Sequence, residues 1–120
     1  MTKQEYQAKL KIFMDCCRHY ENQMDRRDRI LMEQDKAKYC LKKETPESEL
    51  ARLELQLLED NIQYVERILT RIGKKFGENP KQILSRIYIK GESLNSLAKE
   101  NYISERTMTR YLRKWLENCL

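Results

Sequence analysis

Apolar residues recur at helical spacing along almost the whole chain. Tyr6, Leu10, Phe13, Cys17, Tyr20 and Met24 step by 4, 3, 4, 3, 4. This is a seven-residue repeat that turns one face of a helix toward a partner. Leu31 continues it after Arg27 interrupts, and Ile12, Cys16 and Ile30 widen the stripe. The apolar face thins at 20–23, where a kink is expected. Asp25 and Arg29 stand in i,i+4 order on a solvated face. This first segment covers 3–43. Thr45 then suits an N-cap and Pro46 the first helical position, where a missing N–H is harmless.

The second segment, 46–76, has the strongest period. Ala51, Leu55, Leu58, Ile62, Val65, Leu69, Ile72 and Phe76 step by 4 and 3 without error. The run is long enough for a coiled-coil seam. Leu50, Leu53, Leu57, Tyr64 and Ile68 form a flanking stripe, so this helix wants more than one neighbour. Gly73 or Gly77 can end it in the left-handed conformation. A short break at 43–46 folds the first helix back antiparallel.

The third segment, 79–120, reads as three shorter helices. Asn79 caps and Pro80 opens the first, which carries Ile83, Leu84, Ile87 and Tyr88 and ends at Gly91. Ser93 caps the second, with Leu94, Leu97 and Ala98 inward. A turn at 101–103 follows, and Ser104 caps the last helix. The expected fold is all-α. A long helical hairpin over 1–78 serves oligomerisation, and a three-helix helix-turn-helix unit follows over 79–120. Three Gly and two Pro in 120 residues are too few turns for an all-β sandwich or barrel.

Composition removes several function classes. No purely apolar run exceeds three residues, so no membrane-spanning helix is expected. Nothing at the start resembles a signal peptide, so a cytoplasmic protein is expected, with Cys16, Cys17, Cys40 and Cys119 reduced. His19 is the only histidine, which excludes two-histidine metal sites. Cys17 and His19, two apart, fall on different helical faces and have no orienting third group. Neither an enzyme, a cofactor nor a metal is expected. Charge adds a positive clue. Residues 1–78 carry 16 Lys and Arg against 15 Asp and Glu, whereas 79–120 carry 8 against 4. The basic excess sits in the last third and points to an anionic partner there.

That third also holds the chemistry. Two helices joined by a tight turn need a small residue where they cross, and Ala98 supplies it. Leu97, Ile103, Met108 and Tyr111 are the apolar residues around the turn. On the last helix Met108, Leu112, Trp115 and Cys119 form the inward stripe, with Trp115 expected to pack on Ile83 and Ile87. Arg106, Arg110 and Arg113 lie opposite, and Thr109 lies between the faces. Arginine takes a guanine edge or holds a phosphate, and threonine touches either. Capped helix starts at Ser93 and Ser104 offer backbone N–H groups to phosphates. Many such turns carry Gly where Tyr102 stands and an apolar residue where Asn101 stands. Either Tyr102 swings inward in place of Asn101, or the turn is longer. Arg67, Arg71, Lys74 and Lys75 either complement the end of their own helix or follow a DNA backbone.

The stretch ILSRIYIKGESLNSLAKENYISERTMTRYLRKWL, residues 83–116, resembles the helix-turn-helix of sigma-factor region four. It is most similar to small phage late-gene regulators of the RinA and ArpU type. The carrying features are I-Y-I-x-G, then S-L-N-S-L-A-K-E, then S-E-R-T-M-T-R-Y. The resemblance covers about a third of the chain and implies a phage or prophage transcription regulator. It matches Ser104, Glu105, Arg106, Thr109, Arg110 and Arg113 to exposed recognition-helix positions, and it implies contact with RNA polymerase. Double-stranded DNA and a second copy of the chain, through 1–76, are the expected partners. Two alternatives stand beside this: a phage small terminase subunit, and a coiled-coil interaction protein that binds no DNA.

Overall fold

The computed structural model describes residues 2–39 and 46–120, excepting the side chains at 37–39 and 46–48. The expected Thr45 cap and the Cys40 thiol lie outside the described residues. Among the described residues the structure is all-α, with five helices: α1 Lys3–Tyr39, α2 Pro46–Phe76, α3 Glu78–Tyr88, α4 Leu94–Glu100 and α5 Glu105–Cys119. A capping box starts α1. The Thr2 hydroxyl accepts from the Glu5 N–H at 3.1 Å, and the Glu5 carboxylate accepts from the Thr2 N–H at 3.4 Å. Thr2-x-x-Glu5 spells this in the sequence. α1 runs without a break through 20–23, where the Tyr20 hydroxyl donates to Glu66 of α2 at 2.8 Å.

α1 and α2 pack antiparallel. Tyr20 meets Glu66, and a turn and a half further on Arg26 meets Glu54 through two hydrogen bonds of 2.7 and 3.1 Å. The face that α1 presents shifts along its length. Phe13 and Cys17 are buried as expected, but further on Ile30 is only 2% exposed and Leu31 is 39% exposed. Near Phe13, α1 packs against both α2 and α3, with the Phe13 and Tyr88 rings edge to face at 5.8 Å. Further along, Arg26 meets Glu54 of α2, and the buried line turns toward the Cys16–Gln23–Ile30 side. Ile12, on the far flank, is exposed. Asp25 and Arg29 form no pair with each other among the described residues; Arg26 makes the cross-helix contact instead.

The flanking stripe of α2 divides in two. Ile68 is buried in the core and Tyr64 is half-buried against it. Leu50, Leu53 and Leu57 are 65%, 64% and 66% exposed. The molecule measures 59 × 31 × 22 Å, so the far end of the hairpin projects beyond the compact end.

One apolar core joins that compact end. It runs from Tyr6, Phe13 and Cys17 through Val65, Ile68 and Ile72 to Leu84, Leu97, Met108 and Leu116. It therefore crosses the 78/79 position between the hairpin and the helix-turn-helix unit. Only Gly77 separates α2 from α3. Its φ of 100° reverses the chain in a single residue, and its N–H still bonds the Gly73 carbonyl at 3.0 Å. A β-carbon there would meet no atom within 4 Å, so the backbone angle, not space, calls for glycine. Because Gly77 ends one helix and starts the next, α3 begins at Glu78 with no side-chain cap. The expected Asn79 cap is thus corrected: Asn79 and Pro80 lie inside the first turn.

Candidate nucleic-acid interface

The helix-turn-helix is built by local chemistry. Ser93 caps α4 by accepting from the Ser96 N–H, and Ser104 caps α5 by accepting from the Thr107 N–H, both at 3.1 Å. Each serine hydroxyl also bonds the hydroxyl three residues on, at 2.8 and 2.9 Å. Leu97 and Ala98 are buried where the two helices cross, and Met108, Leu112, Trp115, Leu116 and Cys119 form the inward face of α5. Trp115 is a core residue, with Tyr111 stacked parallel on it at 5.8 Å. Tyr111 itself is 44% exposed.

The turn is a Schellman closure. The Ile103 N–H bonds the Ala98 carbonyl at 3.0 Å and the Tyr102 N–H bonds the Lys99 carbonyl at 3.1 Å. This geometry needs a left-handed residue, and Tyr102 takes it, with φ of 57°. Tyr102 does not swing inward; it is 95% exposed. Asn101 is the half-buried residue, its amide donating to the Leu97 carbonyl at 2.8 Å.

A clamp holds this unit to α3. The Arg86 guanidinium donates to Glu92 at 2.6 and 2.8 Å and to Glu100 at 2.7 and 2.9 Å. It ties the end of α3 to the loop before α4 and to the last residue of α4. Its hydrogen bonds hold both carboxyls below their ordinary values and raise Arg86 well above its own. Lys90, near the start of the same loop, pairs with Glu21 of α1.

The residues singled out from sequence divide clearly. Arg106 and Arg110 lie on the outer face of α5, exposed and without an ion-pair partner among the described residues. Arg113 is engaged: it donates to Glu117 at 2.8 Å and its guanidinium lies 5.4 Å from the Tyr6 ring centroid. The Glu117 bond raises its pKa. The Thr109 hydroxyl is turned back onto the Glu105 carbonyl at 2.9 Å. Glu105 is exposed in the first turn of α5, where its charge complements the helix dipole. Ser93 and Ser104 sit at the helix starts with their hydroxyls committed to capping.

Lys114 escaped the sequence reasoning. It stands four residues after Arg110, exposed and without an ion-pair partner among the described residues. Arg106, Arg110 and Lys114 thus step by 4 and 4 along the outer face. The signal was in the spacing, but a 4, 3 step led to Arg113 instead. Lys99, near the end of α4, is also exposed and without an ion-pair partner.

The basic run of α2 has a use within the fold. Arg71 donates to the Cys119 carbonyl at 3.2 Å and Lys75 to the Asn118 carbonyl at 2.8 Å. These two cations satisfy the free carbonyls at the negative end of α5 rather than of their own helix. Burial raises the thiol pKa of Cys119 despite both cations, and pushes Cys17 up to about 12. Neither is poised as a nucleophile. Among the described residues no group of His, Cys, Asp or Glu could hold a metal ion, and no helix is long and apolar enough to cross a membrane.

No protein-family model matches the chain, and no curated protein or solved structure matches it.

Proposed function

We propose that the chain is a sequence-specific duplex DNA-binding transcription regulator, of phage or prophage origin, acting as a homodimer. The observation that carries this is the outer face of α5. It presents Arg106, Arg110 and Lys114 in one row, while the other nearby arginines are neutralised within the fold. A row of unpaired cations opposite a buried stripe suits entry into the major groove, with arginine on guanine edges and lysine on phosphate. Glu105, in the first turn, can accept from a cytosine amine. The resemblance to sigma-factor region four adds contact with RNA polymerase to the proposal.

The homodimer reading rests on the bare Leu50, Leu53 and Leu57 stripe of α2. A second copy brings an identical stripe and covers both. A two-fold dimer would present its α5 helices to half-sites about 34 Å, or a multiple of that, apart.

Duplex binding measured against salt tests the function. Affinity should fall steeply as salt rises, because bound cations release counterions. Arg110→Ala should cost about 1–3 kcal/mol at its site if the contact is bidentate to guanine. Binding unchanged by both Arg106→Ala and Arg110→Ala would place the surface elsewhere.

A further inference from the structure

We propose that the Tyr102 side chain contacts the DNA sugar-phosphate backbone beside the groove that α5 enters. The inference rests on the DNA-binding function proposed above and extends it to a residue outside the row of cations.

The turn itself does not need a tyrosine. Its two closing hydrogen bonds, to Ala98 and Lys99, ask only for a left-handed residue. Glycine meets that demand without strain and asparagine nearly so. A tyrosine at φ 57° is the less stable choice, and the fold gains nothing from its ring. Tyr102 is 95% exposed, its hydroxyl has no hydrogen-bond partner and its ring no stacking partner among the described residues. Other tyrosines differ. Tyr6 lies under Arg113, Tyr20 donates to Glu66, Tyr88 meets Phe13 and Tyr111 stacks on Trp115. A strained, fully presented aromatic with no internal role points to an external partner.

The surroundings favour nucleic acid over protein. Lys99 lies three residues before Tyr102, near the end of α4, and Arg106 four residues after, in the first turn of α5. Neither has an ion-pair partner among the described residues. An apolar protein partner would leave those cations desolvated, whereas a phosphate backbone uses them. The phenol then donates to a phosphate oxygen and the ring covers the adjoining sugar. Such a contact fixes the register of α5 without reading a base.

Because the contact is independent of sequence, a labelled random-sequence duplex at low salt is a sufficient probe for the full chain. Tyr102→Gly should raise the thermal midpoint yet weaken duplex binding roughly tenfold, the scale of one hydrogen bond to a charged group. The salt dependence should stay the same, since no cation is removed. Tyr102→Phe should lose several-fold in affinity at unchanged fold, because only the hydroxyl goes. Binding by Tyr102→Gly within about twofold of the wild type overturns the contact. If the Arg106→Ala, Arg110→Ala double variant loses binding in the same assay, the DNA-binding function survives that result. A wild-type chain with no salt-dependent duplex binding overturns both.

Discussion

The guanidinium of Arg113, midway along α5, lies over the ring of Tyr6, near the start of α1, 5.4 Å from its centroid. The two residues stand at opposite ends of the chain. Their contact makes the first helix part of the scaffold that holds α5. Tyr6 is buried there, and burial is the larger cause of its raised pKa, followed by Glu117.

Tyr6→Ala should therefore destabilise the whole fold by about 3 kcal/mol, through the cavity left under α5. Tyr6→Phe keeps the ring and should cost less than about 1 kcal/mol. Urea unfolding of the two variants checks this. In the duplex assay Arg113→Ala should lower affinity less than Arg110→Ala does, because Arg113 is already engaged. The reverse order would return Arg113 to the DNA-facing set.

The bare stripe of α2 leads to an assembly prediction. The full chain should sediment as a dimer at micromolar concentration. Leu53→Glu, at the middle of the stripe, should yield a monomer with unchanged helix content, since Leu53 is not part of the monomer's core. A clean monomer mass for the wild-type chain defeats the dimer and leaves single-site binding. A ring of many copies would favour a DNA-packaging subunit instead.

The shared core leads to a third. Ile83, Leu84, Met108 and Leu116 belong to the same buried cluster as Val65, Ile68 and Ile72 of α2. A fragment of residues 79–120 loses those neighbours and the Arg71 and Lys75 bonds to the end of α5. It should show no cooperative thermal transition by circular dichroism. A sharp transition in the fragment would mean that α3, α4 and α5 suffice as a folding unit.

The Arg86 clamp makes stability depend on acid. Hydrogen bonds from Arg86 hold Glu92 and Glu100 below the ordinary carboxylate range. As pH falls, the unfolded chain takes up those protons before the folded one does. The clamp's contribution is thus complete above the ordinary carboxylate pKa and disappears as pH falls through the depressed values. The stability gap between wild type and Arg86→Gln should be flat from about pH 8 to 5 and shrink as pH falls below roughly 5. Urea midpoints at several pH values measure it, and a gap independent of pH would deny the clamp its electrostatic role.

Much of this architecture was legible from local pattern. The inward stripe of α5, the start of α2 at Pro46 and the serine caps of α4 and α5 all stand where spacing and residue type put them. Periodicity, capping and the glycine reversal at Gly77 are settled within a few residues, because the hydrogen bonds involved span only three to five positions. Other features depended on which surfaces meet. Only the packed molecule decided that Arg113 turns to Tyr6 while Arg110 stays free. The same holds for Ile30 replacing Leu31 in the hairpin seam, for Arg71 and Lys75 reaching the far end of α5, and for Tyr64 and Ile68 being covered while Leu50, Leu53 and Leu57 are not. In each case the deciding partner lies many residues away. A helix's own sequence marks its apolar and charged faces, but the neighbour that covers or neutralises them is chosen by the joint packing of all five helices.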